Sequence, residues 1–274
     1  MTIHIIYHKA DLDGRCSAAI VLRHVGGRAT LHPWNYGMPV PEGIAPGDDV
    51  WVVDCCLPKA DMVRLHETCH LVWIDHHKTA IDECGGLDCE GLRTVGKAAC
   101  LLAWECCYPL EKPPPLVRHI GLYDVWDHRD PNTVPLNYAI LADQTGEGPL
   151  DETVFVLWYR GDIEVMVDKG CAIENWINSQ NHTKGAAYCY KIAFHGHRGV
   201  ICNGEVHWAK AYLDKDTVIA ISYLYDPNTD AWRFSLRSES VDCAALAKHY
   251  GGGGHKGAAG FEIKGDLPAW VFGK

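Results

Sequence analysis

A chain of 274 residues with 25 Lys+Arg against 35 Asp+Glu carries a formal charge of −10, and it is long enough for about two domains with a core that needs no disulfide or metal to form. Hydrophobic residues at 47% and charged residues at 22% exclude a disordered chain. The acidic balance argues against coating duplex DNA by bulk charge, and no apolar run approaches the roughly 18 residues of a membrane span; a small anionic substrate held by a few local cations stays open.

The first residues, MTIHIIYHKADLDG, turn polar after a short apolar run and lack a small-residue cleavage site, so they read as the first strand rather than a signal peptide. Apolar spacing over 14–25 (Ala18, Ala19, Val21, Leu22, Val25) predicts a helix that stops at Gly26-Gly27. DVWVV at 49–53 predicts a second strand, ending at Asp54. A helix is expected from Pro58 through Glu67. HLVWI at 70–74 predicts a third strand, ending at Asp75. Three apolar runs therefore each end in acidic or histidine-rich turns, and in open α/β sheets ligands bind beyond the carboxyl ends of the strands.

Further helices are expected over 96–107, from the Pro113–Pro115 run to Asp124, and over 150–160 and 162–181. Strands are expected over 187–194, 198–202, 217–225 and 231–237. A short helix capped by Asp242 then precedes GGGGHKGAAG, whose AAGF returns to a strand. The expected class is α/β in two domains: a mostly parallel sheet flanked by helices over 1–160, a helical linker over 161–185, and a smaller α/β domain over 186–274.

The 13 cysteines include adjacent pairs at 55–56 and 106–107 but no CxxC. Without a secretory signal they read as reduced thiols, which places the protein in the cytoplasm. Cys84 and Cys89, with His76 and His77 upstream, admit a structural zinc site, but a turn with buried or idle thiols is the preferred reading. Trp34, Tyr36, Trp126 and Trp208 could stack on bases or simply pack. His195 and His197 read as a strand-end turn rather than a second metal site.

In His8-Lys9-Ala10-Asp11-Leu12-Asp13-Gly14, residues two apart in an extended turn point the same way, so Asp11 and Asp13 can face one pocket; the plainer alternative is a solvated turn with Asp13 capping the helix. Asp54, Asp75-His76-His77 and a downstream acid add to the set. Asp124 is the preferred acid, with Asp127 and His128 as competitors. Carboxylates mixed with imidazole suit Mn²⁺ or Mg²⁺ better than a thiol site suits zinc. Two divalent cations would balance Asp11, Asp13, Asp54 and Asp124, which otherwise repel one another. Paired ions about 3.5–4 Å apart serve in-line attack on phosphorus.

HKADLDG, the Asp after the second predicted strand, the DHH triplet at 75–77 and the downstream Asp resemble the DHH phosphoesterase superfamily. GGGGHKGAAG resembles its DHH-associated domain. The resemblance implies His8, Asp11 and Asp54 on one ion, and Asp13, Asp54, His76 and Asp124 on the other. Asp54 bridges them, His77 lies beside the substrate phosphate as a catalytic residue, and Asp75 orients its neighbours. Many members place three residues between the first His and the first Asp, where this chain has only Lys9 and Ala10. Arg237, Gly252, Gly253, Gly254, His255 and Lys256 would hold the far end of the substrate, although a flexible turn and a surface strand residue are the bland alternatives.

The implied function is two-metal hydrolysis of short linear oligoribonucleotides or dinucleotides, such as pGpG or pApA, to mononucleotides, with Mn²⁺ as first choice and Mg²⁺ as second. A cyclic dinucleotide, a 3′,5′-bisphosphate nucleotide or an exposed single-strand end are alternative substrates. A non-catalytic nucleotide sensor is disfavoured by the full ligand set. A homodimer is compatible with this reading, while membrane or stable duplex DNA partners are not expected.

Overall fold

The computed structural model describes residues 1–144, 146–150 and 163–273. The helix expected over 150–160 falls outside them except for Leu150. The chain forms two compact units, Met1–Glu174 and Asn175–Lys274.

The first unit contains β1 (Ile3–His8), α1 (Leu12–His24), β2 (Thr30–Trp34), β3 (Asp49–Val53), α2 (Lys59–Thr68), β4 (His70–Ile74), α3 (Lys78–Cys84), α4 (Ala99–Cys107), α5 (Pro115–Asp124) and α6 (Thr133–Asp143). Its sheet has the order β2-β1-β3-β4 and every pair is parallel. A parallel sheet must bury both faces, and the alternation of side chains does so. Ile5, Tyr7, Val53, Val72 and Ile74 join one core with residues of α1, α4 and α5. Ile6, Val50, Val52, Leu71 and Trp73 join another with Met62 and Leu65 of α2.

Three elements of this unit escaped the sequence reading. β2 contains Pro33, which suppresses a strand assignment; it is tolerated because β2 lies at the sheet edge. α3 is only 7 residues long and α6 has weak amphipathic spacing.

The strand order reverses at β1: the chain leaves to β2 on one side and returns to β3 on the other. That reversal opens a crevice at the carboxyl ends of β1 and β3. Tyr7 pairs with Val53 and Val53 with Ile74, so the next residues along, His8, Asp54 and Asp75, sit side by side at that crevice.

Helix α7 (Glu164–Tyr188) runs through the segment expected as a linker, and the boundary between units falls within it. The second unit continues with β5 (Cys189–Phe194), β6 (His197–Asn203), α8 (Val206–Lys210), β7 (Ile219–Asp226), β8 (Ala231–Arg237), α9 (Cys243–Lys248), β9 (Gly253–His255), β10 (Ala258–Lys264) and a short 3₁₀ turn at Ala269–Phe272. These strands form one mixed sheet, β5-β6-β7-β8-β10-β9, parallel only between β6 and β7. Asp242 caps α9 by accepting the Ala245 N–H at 2.9 Å. The glycine run expected as a loop is instead partly strand: Gly253–His255 pairs antiparallel with β10. His195 lies in the β5–β6 turn with φ +47°.

Candidate metal centre

Each strand end delivers its polar side chain for a local reason. A Cβ at Gly14 would meet the His8 carbonyl oxygen at 2.1 Å, so only glycine lets α1 start this close to the end of β1. Asp11, not Asp13, caps α1, accepting the Gly14 N–H at 3.0 Å. Asp13 is buried in the first turn, and its two oxygens accept the N–H groups of Ala99 and Cys100 at 2.8 Å each. Those amides are unpaired donors at the start of α4, so Asp13 is locked by a helix N-terminus. Asp54 adopts φ +56° while its N–H continues the ladder to the Ile74 carbonyl at 2.9 Å. This left-handed conformation is rare for a residue with a Cβ, and it turns the carboxylate into the crevice. Asp124 is the last residue of α5.

Six of these side chains converge. His8 Nδ1 lies 2.9 Å from Asp11 Oδ2 and 3.6 Å from Asp54 Oδ2. His76 Nε2 lies 3.3 Å from Asp54 Oδ1, 3.4 Å from Asp124 Oδ2 and 3.7 Å from Asp13 Oδ2. Potential ligand atoms therefore gather in the trios His8–Asp11–Asp54 and Asp13–His76–Asp124, each within 4.8 Å. Asp54 turns one oxygen to each trio. His77 also falls in such a trio, with Asp54 and His76. Its Nδ1 is held at 2.7 Å by Asp75 Oδ1, which accepts the backbone N–H groups of His76 and His77 as well. Asp127 is taken by Arg129, and His128 stacks on Tyr123; of the three candidate acids and bases here, Asp124 reaches the cluster.

Burial followed by the charges of Asp13 and Asp11 pushes the Asp54 carboxyl well above its ordinary range, against a pull from His8. Asp124 is pushed up to about 9 by burial, then by Asp13 and Asp54. Burial works against a charge on His8, yet the close approach of the Asp11 and Asp54 carboxylates outweighs that and raises it to about 11. His77 is raised because Asp75 outweighs the effect of burial. Both Asp54 oxygens, Asp124 Oδ2 and His8 Nδ1 are buried without a well-aligned hydrogen bond. Buried anionic oxygens without donors are expensive unless a cation meets them, and a carboxylate–imidazole set is what Mn²⁺ or Mg²⁺ takes. The residues fit a divalent-metal centre. No trio of potential ligands among the described residues contains a cysteine; Cys84 instead lies with its Sγ 3.6 Å from Cys56 Sγ.

A Gly14→Ala substitution is expected to displace the β1 end, lowering stability by ~1–3 kcal/mol as overpacking does. Denaturant midpoints with and without Mg²⁺ check this, and an unchanged midpoint counts against the close approach.

In the second unit Arg237 closes β8, half-buried, opposite Ala258 of β10. The turn after His255 is fastened beside it: Ser238 N–H donates to the Gly257 carbonyl at 3.1 Å and Cys243 N–H to the Lys256 carbonyl at 2.8 Å. Gly252 and Gly254 are needed for packing, since a Cβ would meet the Gly260 oxygen at 2.1 Å or the Ala258 oxygen at 2.6 Å, whereas Gly253 is open. Lys210 on α8, absent from the sequence reading, is held below its ordinary pKa by burial and by the Arg237 charge, with Glu239 opposing. This side of the unit thus gathers cations. Of the aromatics, Trp34 is buried, with its indole N–H on the Pro39 carbonyl, while Tyr36 is exposed beside His8 and His77. Trp126 is exposed and Trp208 packs on Tyr188.

A DHHA1 domain matches residues 206–269. No curated protein matches the chain. Among solved structures, an exopolyphosphatase-related protein from Bacteroides fragilis is 14% identical, with 97% of this chain and 88% of that chain covered and a TM-score of 0.51, which shows a shared fold. A pGpG-specific phosphodiesterase from Vibrio cholerae is 11% identical over 96% and 94% with a TM-score of 0.45. RecJ from Thermus thermophilus, in complex with Mn²⁺, is 15% identical over 96% of this chain and 49% of its own, with a TM-score of 0.42. No helix among the described residues is long and apolar enough to cross a membrane.

Proposed function

We propose that this chain is a metal-dependent phosphoester hydrolase of the DHH phosphoesterase superfamily, a reading supported by the DHHA1 match and the shared fold, and that it cuts short linear oligoribonucleotides and dinucleotides to mononucleotides. The observation that carries the chemistry is Asp54, buried and turning one oxygen to each of two ligand trios. His8, Asp11 and Asp54 would hold one divalent cation; Asp13, Asp54, His76 and Asp124 would hold the other. When bound, such a pair supplies Lewis-acid stabilisation of charge developing on the phosphoryl oxygens.

The chain's own groups do the rest. Asp13, fixed by the α4 amides, and Asp54, fixed by its backbone twist, keep the ligand atoms in place without reorganisation during the reaction. Asp75 holds the Nδ1–H of His77, so Nε2 is the atom that donates to the scissile phosphate and protonates the leaving oxygen. In the second unit Arg237, His255 and Lys256, with the glycine backbone of 252–254, offer donors that suit a phosphate or a base of the substrate. The net charge of −10 disfavours tracking along a long polyanion, which supports short substrates.

The test is a panel run side by side with Mn²⁺ and with Mg²⁺: a linear dinucleotide, a cyclic dinucleotide, a 3′,5′-bisphosphate nucleotide and a long single strand, resolved by product chromatography. The linear dinucleotide is expected to give the highest kcat/KM, by about tenfold or more. Faster turnover of the long strand or the cyclic substrate overturns the substrate assignment while leaving the hydrolase intact. Arg237→Ala is expected to lower kcat/KM on the dinucleotide ~10–100-fold, the value of one charged hydrogen-bonded contact, and to change bis-p-nitrophenyl phosphate cleavage little. Equal losses on both substrates argue against a grip.

A further inference from the structure

We infer that Asn35 is the positioning residue that fixes His8 as an Nδ1 ligand; the inference rests on the metal-centre reading above.

His8 faces two environments. Its Nδ1 is turned to Asp11 Oδ2 and Asp54 Oδ2, and its Nε2 lies 3.2 Å from Asn35 Oδ1. An imidazole can present either nitrogen to a cation, so something must choose. The choice is made by which atom of the Asn35 amide faces the ring. Asn35 Oδ1 also accepts the backbone N–H of Tyr36 at 2.9 Å. In the flipped amide the –NH₂ group would face that N–H, donor against donor at 2.9 Å, so this contact identifies the amide oxygen. An oxygen only accepts, and therefore His8 Nε2 carries the hydrogen. With a cation bound between Nδ1 and the carboxylates the imidazole is neutral and has one N–H, so the hydrogen on Nε2 leaves the Nδ1 lone pair for the cation.

The sheet brings Asn35 to this place. His8 pairs with Trp34 across the β1–β2 ladder, and Lys9 N–H donates to the Trp34 carbonyl at 3.0 Å, so the next residue of the second chain segment falls beside the imidazole. Tyr36 stands alongside, with its ring edge-on to Trp34 at 5.1 Å and to His8 at 6.1 Å. The neutrality of Asn35 matters too. Four aspartates already crowd the cluster, and an amide orients the ring without adding a fifth negative charge. His77, by contrast, is oriented by a carboxylate, Asp75.

The test measures cation binding rather than turnover. Mn²⁺ is titrated calorimetrically and by electron paramagnetic resonance into the wild-type chain and the variants N35A, N35L, H8A and H8A/N35A, with folding checked by circular dichroism. N35A and N35L are each expected to weaken one of the two cation sites ~10–100-fold, the usual loss for the hydrogen-bond partner of a ligating histidine. H8A should weaken the same site, and H8A/N35A should be no weaker than H8A, because Asn35 acts only through the ring. N35D, which keeps an acceptor at this position but adds a fifth negative charge, should recover part of the affinity lost in N35A. In the diamagnetic Mg²⁺ form, long-range ¹H–¹⁵N spectra should show His8 with the proton on Nε2. Wild-type binding by both N35A and N35L, or additive losses in the double variant, overturns the role of Asn35. Wild-type binding by H8A removes the metal-centre reading, and the role of Asn35 falls with it.

Discussion

Asp54→Asn is expected to lower kcat by at least ~10³-fold while raising, not lowering, the melting temperature of the ion-free protein. The first half follows from geometry. Among the described residues Asp54 is the side chain that turns an oxygen to each ligand trio, so a neutral amide there weakens the hold on both cations. Stabilisation of the phosphoryl charge is worth several kcal/mol, and each ~1.4 kcal/mol is a decade in rate. The second half follows from burial. Asp54 is 1% exposed and both oxygens lack a hydrogen-bond donor, so without cations the carboxylate is a burden on the fold. An amide of nearly the same shape removes that burden. Rapid-quench turnover on a dinucleotide and thermal melts in EDTA check the two halves independently. Turnover within tenfold of wild type overturns the bridging role. A collapse of the fold would show that Asp54 is structural rather than a cation holder.

Much of this arrangement is legible in the residues, and the gaps have physical causes. The strands that carry the site read clearly because IHIIYH, DVWVV and HLVWI are short apolar runs that stop at charged residues, as buried parallel strands do. Asp11, Asp13, Asp54 and His76 could be named from those strand ends, whereas Asp124 closes a helix and reads only as the preferred acid of a downstream segment. Their division into two sets comes from the family resemblance alone, because in the residues themselves it depends on the φ +56° backbone of Asp54 and on the strand order that sets β1 beside β3. Asp13 as the cap of α4 was invisible because the contact spans 86 residues of chain. Asn35 left no signal: it is neutral, follows a Pro-containing edge strand, and acts through a single hydrogen bond to a ring nitrogen. The glycine run read as a loop because glycine weakens strands, but β10 supplies a partner ladder and overrides that local preference. Lys210 sits on a 5-residue helix too short for a periodic pattern, so nothing in the sequence placed it near Arg237.

The ion-free protein is expected to lose stability as pH rises, and divalent cations should remove that dependence. Asp124 holds its proton up to about pH 9 in the fold, whereas the unfolded chain releases it near the ordinary value of about 4. Asp54 is shifted in the same direction. Between those limits the folded state binds more protons than the unfolded state, so stability falls with increasing pH across the window. His8, raised to about 11, contributes stability that is complete below its ordinary value of about 6.5 and is lost as pH climbs toward 11; His77 shifts in the same sense. Asp11 is lowered and acts oppositely, but its window lies below about pH 4. Among the site groups every contribution between pH 6 and 8.5 therefore has one sign; His32 and His119, lowered by burial, act oppositely, and their effect is spent as pH passes their ordinary value of about 6.5. With ~2–4 °C per kcal/mol for a unit of this size, the EDTA-treated first unit should melt ~5–10 °C lower at pH 8.5 than at pH 6. Saturating Mg²⁺ or Mn²⁺ takes the place of the protons and stabilises the native state by mass action, ~2.7 kcal/mol at a hundred times Kd. The melting temperature with metal should thus be flat or rising over the same range, and the gap between the two curves should widen with pH. Asp124→Asn should flatten the EDTA curve by removing one of the titrating groups. An EDTA curve that rises with pH, or two curves that superimpose, would mean that these carboxylates do not form a cation site.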